Sequence, residues 1–492
     1  MERLSYKVVK EQNKDFFREN APERVLQFGE GNFLRGFVDY FFDLLNEKTD
    51  FNGKVVIVQP IEQGNAELIN EQEGLYTLYL RGLVDGEPTV SRRLISSVSR
   101  AINPYKDFDE FLKCAVNPDL RYVVSNTTEA GIVFDGTVLF EDRPQKSFPA
   151  KLTRFLFERW KFFGEGNEKG LVVLSCELIA DNGKELHRFV LETAKLWKLS
   201  ENFIEWIEKE CLFCNTLVDR IVTGYPRTET VRLNEENGYE DKLLDTGEPF
   251  AFWAIEAPEW LRDELPLEEI GWPIIFVPDQ SPYKKRKVRI LNGAQTGVTL
   301  AAYLSGHDIG RAYMNDPLFY DFVKGMMFEE IIPVINMDED EAKKFATDCL
   351  DRLSNPFIDH SLLAISLNSV SKWRARDLPT FKDYYAEKKE LPKRITLSLA
   401  ALLAFYTGNE MKDGSLIGHR GEEAYKIMDD ENVLMFMQKY STGDDAEFVH
   451  AYMTNKDFHG EDLTEYLGFA DDVLRHLRSI RSEGMRAVLE VL

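Results

Sequence analysis

The chain has 492 residues, of which 44% are hydrophobic and 12% aromatic, enough to bury a large core and to divide into two or three domains. A net charge of −24 repels polyanions over the surface at large, so no nucleic-acid partner is expected. The first twenty residues interleave Lys and Glu with single apolar positions, unlike a secretory signal, and the longest apolar stretch, Ile395 to Tyr406, is too short to span a bilayer, so no membrane partner is expected.

In chain order, Arg24 to Phe28 (RVLQF) is a short β-type run followed by Gly29-Glu30-Gly31-Asn32. Apolar residues then recur at helical spacing at Phe33, Phe37, Phe41, Leu44 and Leu45. Lys54 to Gln59 (KVVIVQ) is a β-branched run of the kind buried on both faces of a parallel sheet, so the segment reads as a βαβ unit. Gly29 and Gly31 match the first two glycines of a dinucleotide fingerprint, where missing side chains allow a tight turn and close approach of a pyrophosphate; the third position is Leu34. A purely structural glycine turn is the alternative. Arg35, one turn into the helix, is placed to add a charge-assisted contact to the pyrophosphate. At the end of the second strand, where an acid commonly takes the ribose 2′-hydroxyl, the chain has Gln59-Pro60. No Lys or Arg lies between Val55 and Leu80 to bind the extra phosphate of NADP, so NAD is the expected cofactor.

Further β-type runs at Arg121 to Val124 and Leu171 to Ser175 precede Asn126-Thr127-Thr128-Glu129 and Cys176-Glu177, polar residues of the kind that line ligand crevices at strand ends. Cys114, Cys176, Cys211, Cys214 and Cys349 are odd in number and irregular in spacing, as reduced thiols of a cytoplasmic enzyme are. Cys211 and Cys214, without a second pair or nearby histidines, read as two cysteines on a helix face, and no metal is expected. From about Leu291 helical segments dominate, broken at Asn355-Pro356, Leu378-Pro379 and Leu391-Pro392. Ile395 to Tyr406 reads as a buried helix and Asp338 to Glu341 as a solvated helix start. Two basic runs, Lys284 to Lys287 with Arg289 and Lys372 to Arg376, are either solvated faces or sites for one carboxylate or phosphate. Monomer and homodimer are equally compatible with this pattern.

The segments RVLQFGEGNFLRGF, SNTTEAG, SCELI, VDRI, FWAIEAPE, KVRILNGAQT, NPFIDH and SKWRARDLP lie in an order that resembles the long-chain mannitol dehydrogenase family, and within it the tagaturonate reductase branch. The resemblance runs from Arg24 to about Pro379. It implies an α/β chain in which an enlarged Rossmann-type dinucleotide-binding domain (1–285) is followed by a mostly α-helical domain (286–492), with NAD and without zinc. It also implies that Gly29, Glu30, Gly31, Asn32, Phe33, Arg35, Gln59 and Asn126 serve the cofactor. The family's catalytic lysine, asparagine and histidine fall on Lys287, Asn292 and Gln295.

Oxidation of an alcohol needs a base as hydride leaves, and the reverse needs donors where oxyanion charge develops. Lys287 suits the first role if burial and the adjacent Lys284, Lys285, Arg286 and Arg289 lower its pKa, and Asn292 suits the second. Gln295 holds a hydroxyl but carries no proton, so the chain is either active at a lower level or impaired. Leu178 stands where the mannitol branch has an asparagine, which fits a sugar-acid enzyme better than a polyol enzyme. Asp219 matches a substrate contact, with an ion pair to Arg220 as its alternative. Lys372 matches a substrate-contacting lysine, and Arg374 and Arg376 add guanidinium forks suited to a carboxylate. His360 is the other histidine within a motif, a structural role being the alternative. The expected substrate is therefore a small sugar acid, tagaturonate reduced to altronate. Fructuronate, a hexitol or its phosphate are the enzymatic alternatives, and an NAD-binding variant silenced by Gln295 is the other.

Overall fold

Val, Ile and Phe runs buried on both faces build the larger sheet. In the computed structural model, which describes residues 1–12, 14, 16, 18–127 and 131–492, the strands are β1 (Glu23–Phe28), β2 (Lys54–Val58), β3 (Tyr76–Val84), β4 (Glu87–Ile95), β5 (Val98–Ile102), β6 (Tyr122–Ser125), β7 (Val172–Ser175), β8 (Leu212–Asp219), β9 (Asp245–Gly247), β10 (Phe252–Glu256), β11 (Ile274–Val277), β12 (Glu410–Lys412), β13 (Ser415–Arg420) and β14 (Glu423–Ile427). The eight-stranded sheet has the order β11-β10-β8-β7-β6-β1-β2-β5, parallel except that β10 meets β8 antiparallel. Alternate residues of each strand enter opposite cores: Val25, Ile57 and Val124 join Phe37, Phe41 and Trp253, whereas Leu26, Val56 and Val123 join Phe111, Phe155 and Trp160. Both faces are covered, as the uninterrupted apolar runs predict. The strand order reverses between β1 and β6, which sets a crevice at their carboxyl ends.

The chain packs as two units, Met1–Arg81 with Thr89–Gln280, and Gly82–Pro88 with Ser281–Leu492. The longer segment of the second unit starts at Ser281, with the helix that carries the basic run. The helices that shape the site and its support include α1 (Asn32–Gly36), α2 (Val38–Lys48), α3 (Phe148–Phe163), α4 (Asn182–Leu196), α5 (Ser281–Arg286), α6 (Ala294–Leu304), α7 (Ser369–Arg376), α8 (Leu378–Lys388), α9 (Lys393–Phe405) and α10 (Phe469–Glu483). α3 and α4 pack against each other in the first unit. In the second unit, α9 holds the expected buried stretch; Leu397, Leu399 and Leu403 are fully buried, each contributing about 1.5–3 kcal/mol, and the helix packs on α6 and α10. Asp338 caps its helix by accepting the Glu341 N–H at 2.9 Å, as expected of a solvated start.

Two features differ from the sequence-based expectation. The cysteines at 211 and 214 are not on a helix: Cys211 ends the turn before β8 and Cys214 lies inside β8 beside Leu174, because the preceding helix stops at Glu210. The mostly helical second unit also carries an antiparallel sheet, β12-β13-β14. Among the described residues, no helix is long and apolar enough to cross a membrane.

Candidate active site

At the end of β1 the chain turns at Gly29 with φ +128°, a conformation closed to most side chains, and a Cβ there would stand 3.0 Å from Leu34 Cδ1. At Gly31 a Cβ would meet nothing within 4 Å, and the N–H groups opening α1 have no side-chain cap. Open space before uncapped N–H donors fits a pyrophosphate. Asn32 is exposed, and Phe33 is half-buried and stacks on Phe37 with ring centroids 5.1 Å apart. On the other side of the crevice, the Asn126 amide donates to the Cys176 carbonyl, and the Thr127 N–H donates to Glu177 Oε1 at 3.1 Å, tying the ends of β6 and β7 together. Thr128 and Glu129 lie outside the described residues.

Two side chains assigned to the cofactor are engaged elsewhere. Arg35 does not face the pyrophosphate. It is 3% exposed, donates to the carbonyls of Glu30 (3.2 Å) and Leu243 (2.7 Å) and to Asn32 Oδ1 (2.7 Å), and lies over the Tyr76 ring. A guanidinium so bonded braces the turn. Gln59 is 2% exposed; its amide nitrogen donates to the carbonyls of Ile61 and Glu62, each at 2.9 Å, and its oxygen accepts the Ala66 N–H at 3.1 Å. It shapes the loop after β2. Glu30 is buried against that loop, and burial raises its carboxyl above the ordinary range.

Below the turn, Asp39 and Asp245 are fully buried, and burial pushes each carboxyl up to about 7. The Tyr76 hydroxyl lies 2.8 Å from the Arg35 carbonyl and 3.2 Å from Asp39 Oδ2. Asp219 closes β8 and is 4% exposed, while the neighbouring Arg220 donates to the carbonyls of Gly36 (2.8 Å) and Phe250 (3.0 Å). Leu178, beyond β7, is 67% exposed.

In the second unit, α5 continues into a π-helix spanning Lys287–Gly293, which runs into α6. In an α-helix, residues five apart stand on different faces; closing i→i+5 hydrogen bonds brings them over one another. Lys287 and Asn292 therefore share one face, and both are half-buried. The basic run is divided by the same geometry. Arg286 is buried over the rings of Tyr283 (5.3 Å) and Phe345 (4.6 Å), and Arg289 bonds Thr380 Oγ1 (2.8 Å) and Asp383 (3.2 Å).

Gly293 lets this segment lie on the end of α7, since a Cβ would stand 3.1 Å from Asp377 Oδ1 and 3.6 Å from the Arg376 carbonyl. Arg376 donates to Thr296 Oγ1 at 2.9 Å, next to the half-buried Gln295. Lys372 donates to the Ile365 carbonyl at 2.8 Å; burial and the Arg376 charge lower its pKa. Partial burial, with the Lys372 charge, lowers the His360 pKa from its ordinary value. Arg374 leaves the group, donating to the Asp457 carbonyl at 3.2 Å. The second unit thus gathers Arg376 and Thr296 beside Gln295, with Lys372 and His360 close enough for their charges to interact. Sequence reasoning passed over Asp377, 1% exposed and pushed well above the carboxylate range by burial despite Arg376 and Arg289; its one signal was its place in SKWRARDLP.

Residues 23–269 match the mannitol dehydrogenase Rossmann domain and residues 279–481 the mannitol dehydrogenase C-terminal domain. The chain belongs to the mannitol dehydrogenase family. It is 44% identical over 487 residues to an altronate oxidoreductase of Pectobacterium atrosepticum, covering 97% of this chain and 98% of that protein. It is 44% identical over 486 residues to an altronate oxidoreductase of Escherichia coli, covering 97% and 99%. Among solved structures, a Pseudomonas fluorescens mannitol 2-dehydrogenase in ternary complex with NAD and D-mannitol superposes with TM-score 0.69 at 21% identity, over 99% of each chain. A D-sorbitol dehydrogenase in substrate-free form gives 0.75 at 21% identity over 96% of each. At that identity the likeness establishes the fold, a Rossmann domain followed by a mostly helical one, which is the family's two-domain architecture.

Proposed function

We propose that the chain is an NAD(H)-dependent oxidoreductase that interconverts tagaturonate and altronate in the cytoplasm. The observation that carries the reading is the π-helix that holds Lys287 and Asn292, both half-buried, in one segment, in a chain 44% identical to altronate oxidoreductases over 97% of its length. The open cradle at Gly31 supports a dinucleotide there, framed by Gly29, Glu30, Asn32, Phe33 and Asn126, with Gln59 holding the adjoining loop. The nicotinamide, when bound, supplies or accepts the hydride. Lys287 moves the proton at the substrate oxygen, and the Asn292 amide donates to the same oxygen as charge develops on it. Gln295 holds a neighbouring hydroxyl, and Asp219 accepts another. Lys372 and Arg376 bind the carboxylate, and His360 lies close enough to Lys372 to feel its charge. Five cysteines, none in a disulfide among the described residues, support a reducing compartment.

The test is NADH oxidation, followed by nicotinamide absorbance, with tagaturonate, fructuronate, fructose and fructose 6-phosphate. Turnover is expected with a ketouronate and not with fructose. Equal turnover of fructose sinks the carboxylate assignment. Gln295 favours a second reading, an impaired variant: NADH binding without turnover of any of the four would establish it.

A further inference from the structure

The sequence lacks an acid at the end of β2, yet the fold brings one there from another segment. Glu30 is 8% exposed, and its carboxylate packs over the loop that follows β2: Oε1 would lie 2.1 Å from a Cβ on Gly64, and that same point lies 2.6 Å from Gln59 Cδ. Gln59, Gly64 and Glu30 therefore surround one spot, over the strand end where this class of fold seats the adenosine ribose. Both amide protons of Gln59 are used on Ile61 and Glu62 carbonyls, so it has no donor left for a ribose. The backbone N–H groups of Asn65 and of Glu30 itself favour the ionised form of the Glu30 carboxyl against the effect of burial. A carboxylate offers about four acceptor positions, so capacity remains for hydroxyls. Arg35 donates to the Glu30 carbonyl at 3.2 Å and its charge favours the ionised Glu30 carboxyl, but each of its nitrogens already meets a protein oxygen, and no Lys or Arg occurs between Val55 and Leu80 to bind a 2′-phosphate.

We propose that Glu30, reaching out of the glycine turn, replaces the missing acid of β2: its carboxylate receives the adenosine ribose hydroxyls of NAD and turns away the 2′-phosphate of NADP. The inference rests on the assignment of a dinucleotide to this turn and is independent of which sugar acid is reduced. Selectivity then comes from a repulsive charge as much as from an attractive contact. A carboxylate that only braced the loop would act on both cofactors alike.

Binding of NADH and of NADPH, read by nicotinamide fluorescence without any sugar, separates the two roles in the full-length wild type, Glu30→Gln and Glu62→Gln. Glu62 is the exposed acid of the same loop. The Glu30→Gln change is expected to weaken NADH severalfold and to shift the NADPH-to-NADH affinity ratio at least tenfold toward NADPH, whereas Glu62→Gln shifts it less than twofold. A ratio unchanged in Glu30→Gln, with both affinities falling together, overturns the proposal, as does a shift found only in Glu62→Gln. Should Glu30→Gln fail to fold, 2′-deoxy-NADH decides on the wild type: binding at least tenfold weaker than NADH is expected, and equal binding overturns the inference. Dinucleotide binding without ketouronate turnover would sink only the assigned substrate, and failure of the wild type to bind either cofactor would sink both.

Discussion

The glycine turn of the first unit and the π-helix of the second solve opposite problems. In the turn, Arg35 and Asp39 are bonded below the surface, Gly29 is buried, and what opens outward is backbone at Gly31. In the π-helix the backbone is buried at Gly293 against α7, and the half-buried side chains of Lys287 and Asn292 carry the chemistry. A pyrophosphate is held by N–H groups that every residue has, so conformation decides whether the turn works. Proton transfer needs particular side chains, so alignment decides whether the helix works. Damage to the turn should appear in cofactor affinity, and damage to the helix in turnover.

The largest expected effect is that of Lys287→Ala. Loss of general acid–base catalysis lowers kcat about 10²–10⁴-fold, with NADH affinity unchanged by fluorescence titration. A proportional loss of NADH binding would break the division of labour. Gly29→Ala should give the opposite pattern. A Cβ at φ +128° and 3.0 Å from Leu34 Cδ1 strains the turn by about 1–3 kcal/mol, so NADH affinity falls about 5- to 150-fold while kcat at saturating NADH stays near wild type. Gln295→His supplies a titratable group beside Thr296 and Arg376 and is expected to raise kcat severalfold, with a new pH dependence near the histidine range. If kcat does not rise, Gln295 belongs to the chemistry this chain performs and is no lesion. Gly293→Ala is milder: the buried Asp377 Oδ1 at 3.1 Å must give way, and kcat falls severalfold without a change in cofactor affinity.

Much of the fold was legible because both-face burial leaves unbroken apolar runs. RVLQF, KVVIV and LVVLS each became a central parallel strand, and Ile395 to Tyr406 became the buried helix α9. β3, β4 and β14 were harder to see. β4 is largely exposed and reads as a polar loop, and β14 alternates exposed with buried positions beside charged turns. Within the site, the family resemblance pointed to Lys287 and Asn292, but a π turn leaves no trace in hydrophobic periodicity over seven residues. The inward orientation of Arg35 was equally hidden. Its partners, Leu243 and Tyr76, lie far along the chain, and only the folded core brings them to the guanidinium.

The smallest effect expected concerns the buried acids beneath the turn. Asp39 and Asp245 are held at about 7, burial being the main cause and the Asp245 charge adding to the shift of Asp39. An unfolded aspartate titrates near ~3.9, so between about pH 4 and pH 7 the folded chain keeps protons that the unfolded chain has released. Stability from these groups is therefore full below about pH 4, declines as pH rises, and levels off above about pH 7. Each retained proton gives a slope of about 1.4 kcal/mol per pH unit at most, and because the two acids interact they titrate as a pair. Asp39→Asn keeps the shape and removes one of these protons. The fall in urea midpoint between pH 5 and pH 8 should then be smaller in the variant than in the wild type. An equal fall in both would mean that Asp39 is ionised across the whole range, with Arg35 as its counter-charge, and that the turn rests on a buried ion pair instead of a buried neutral acid.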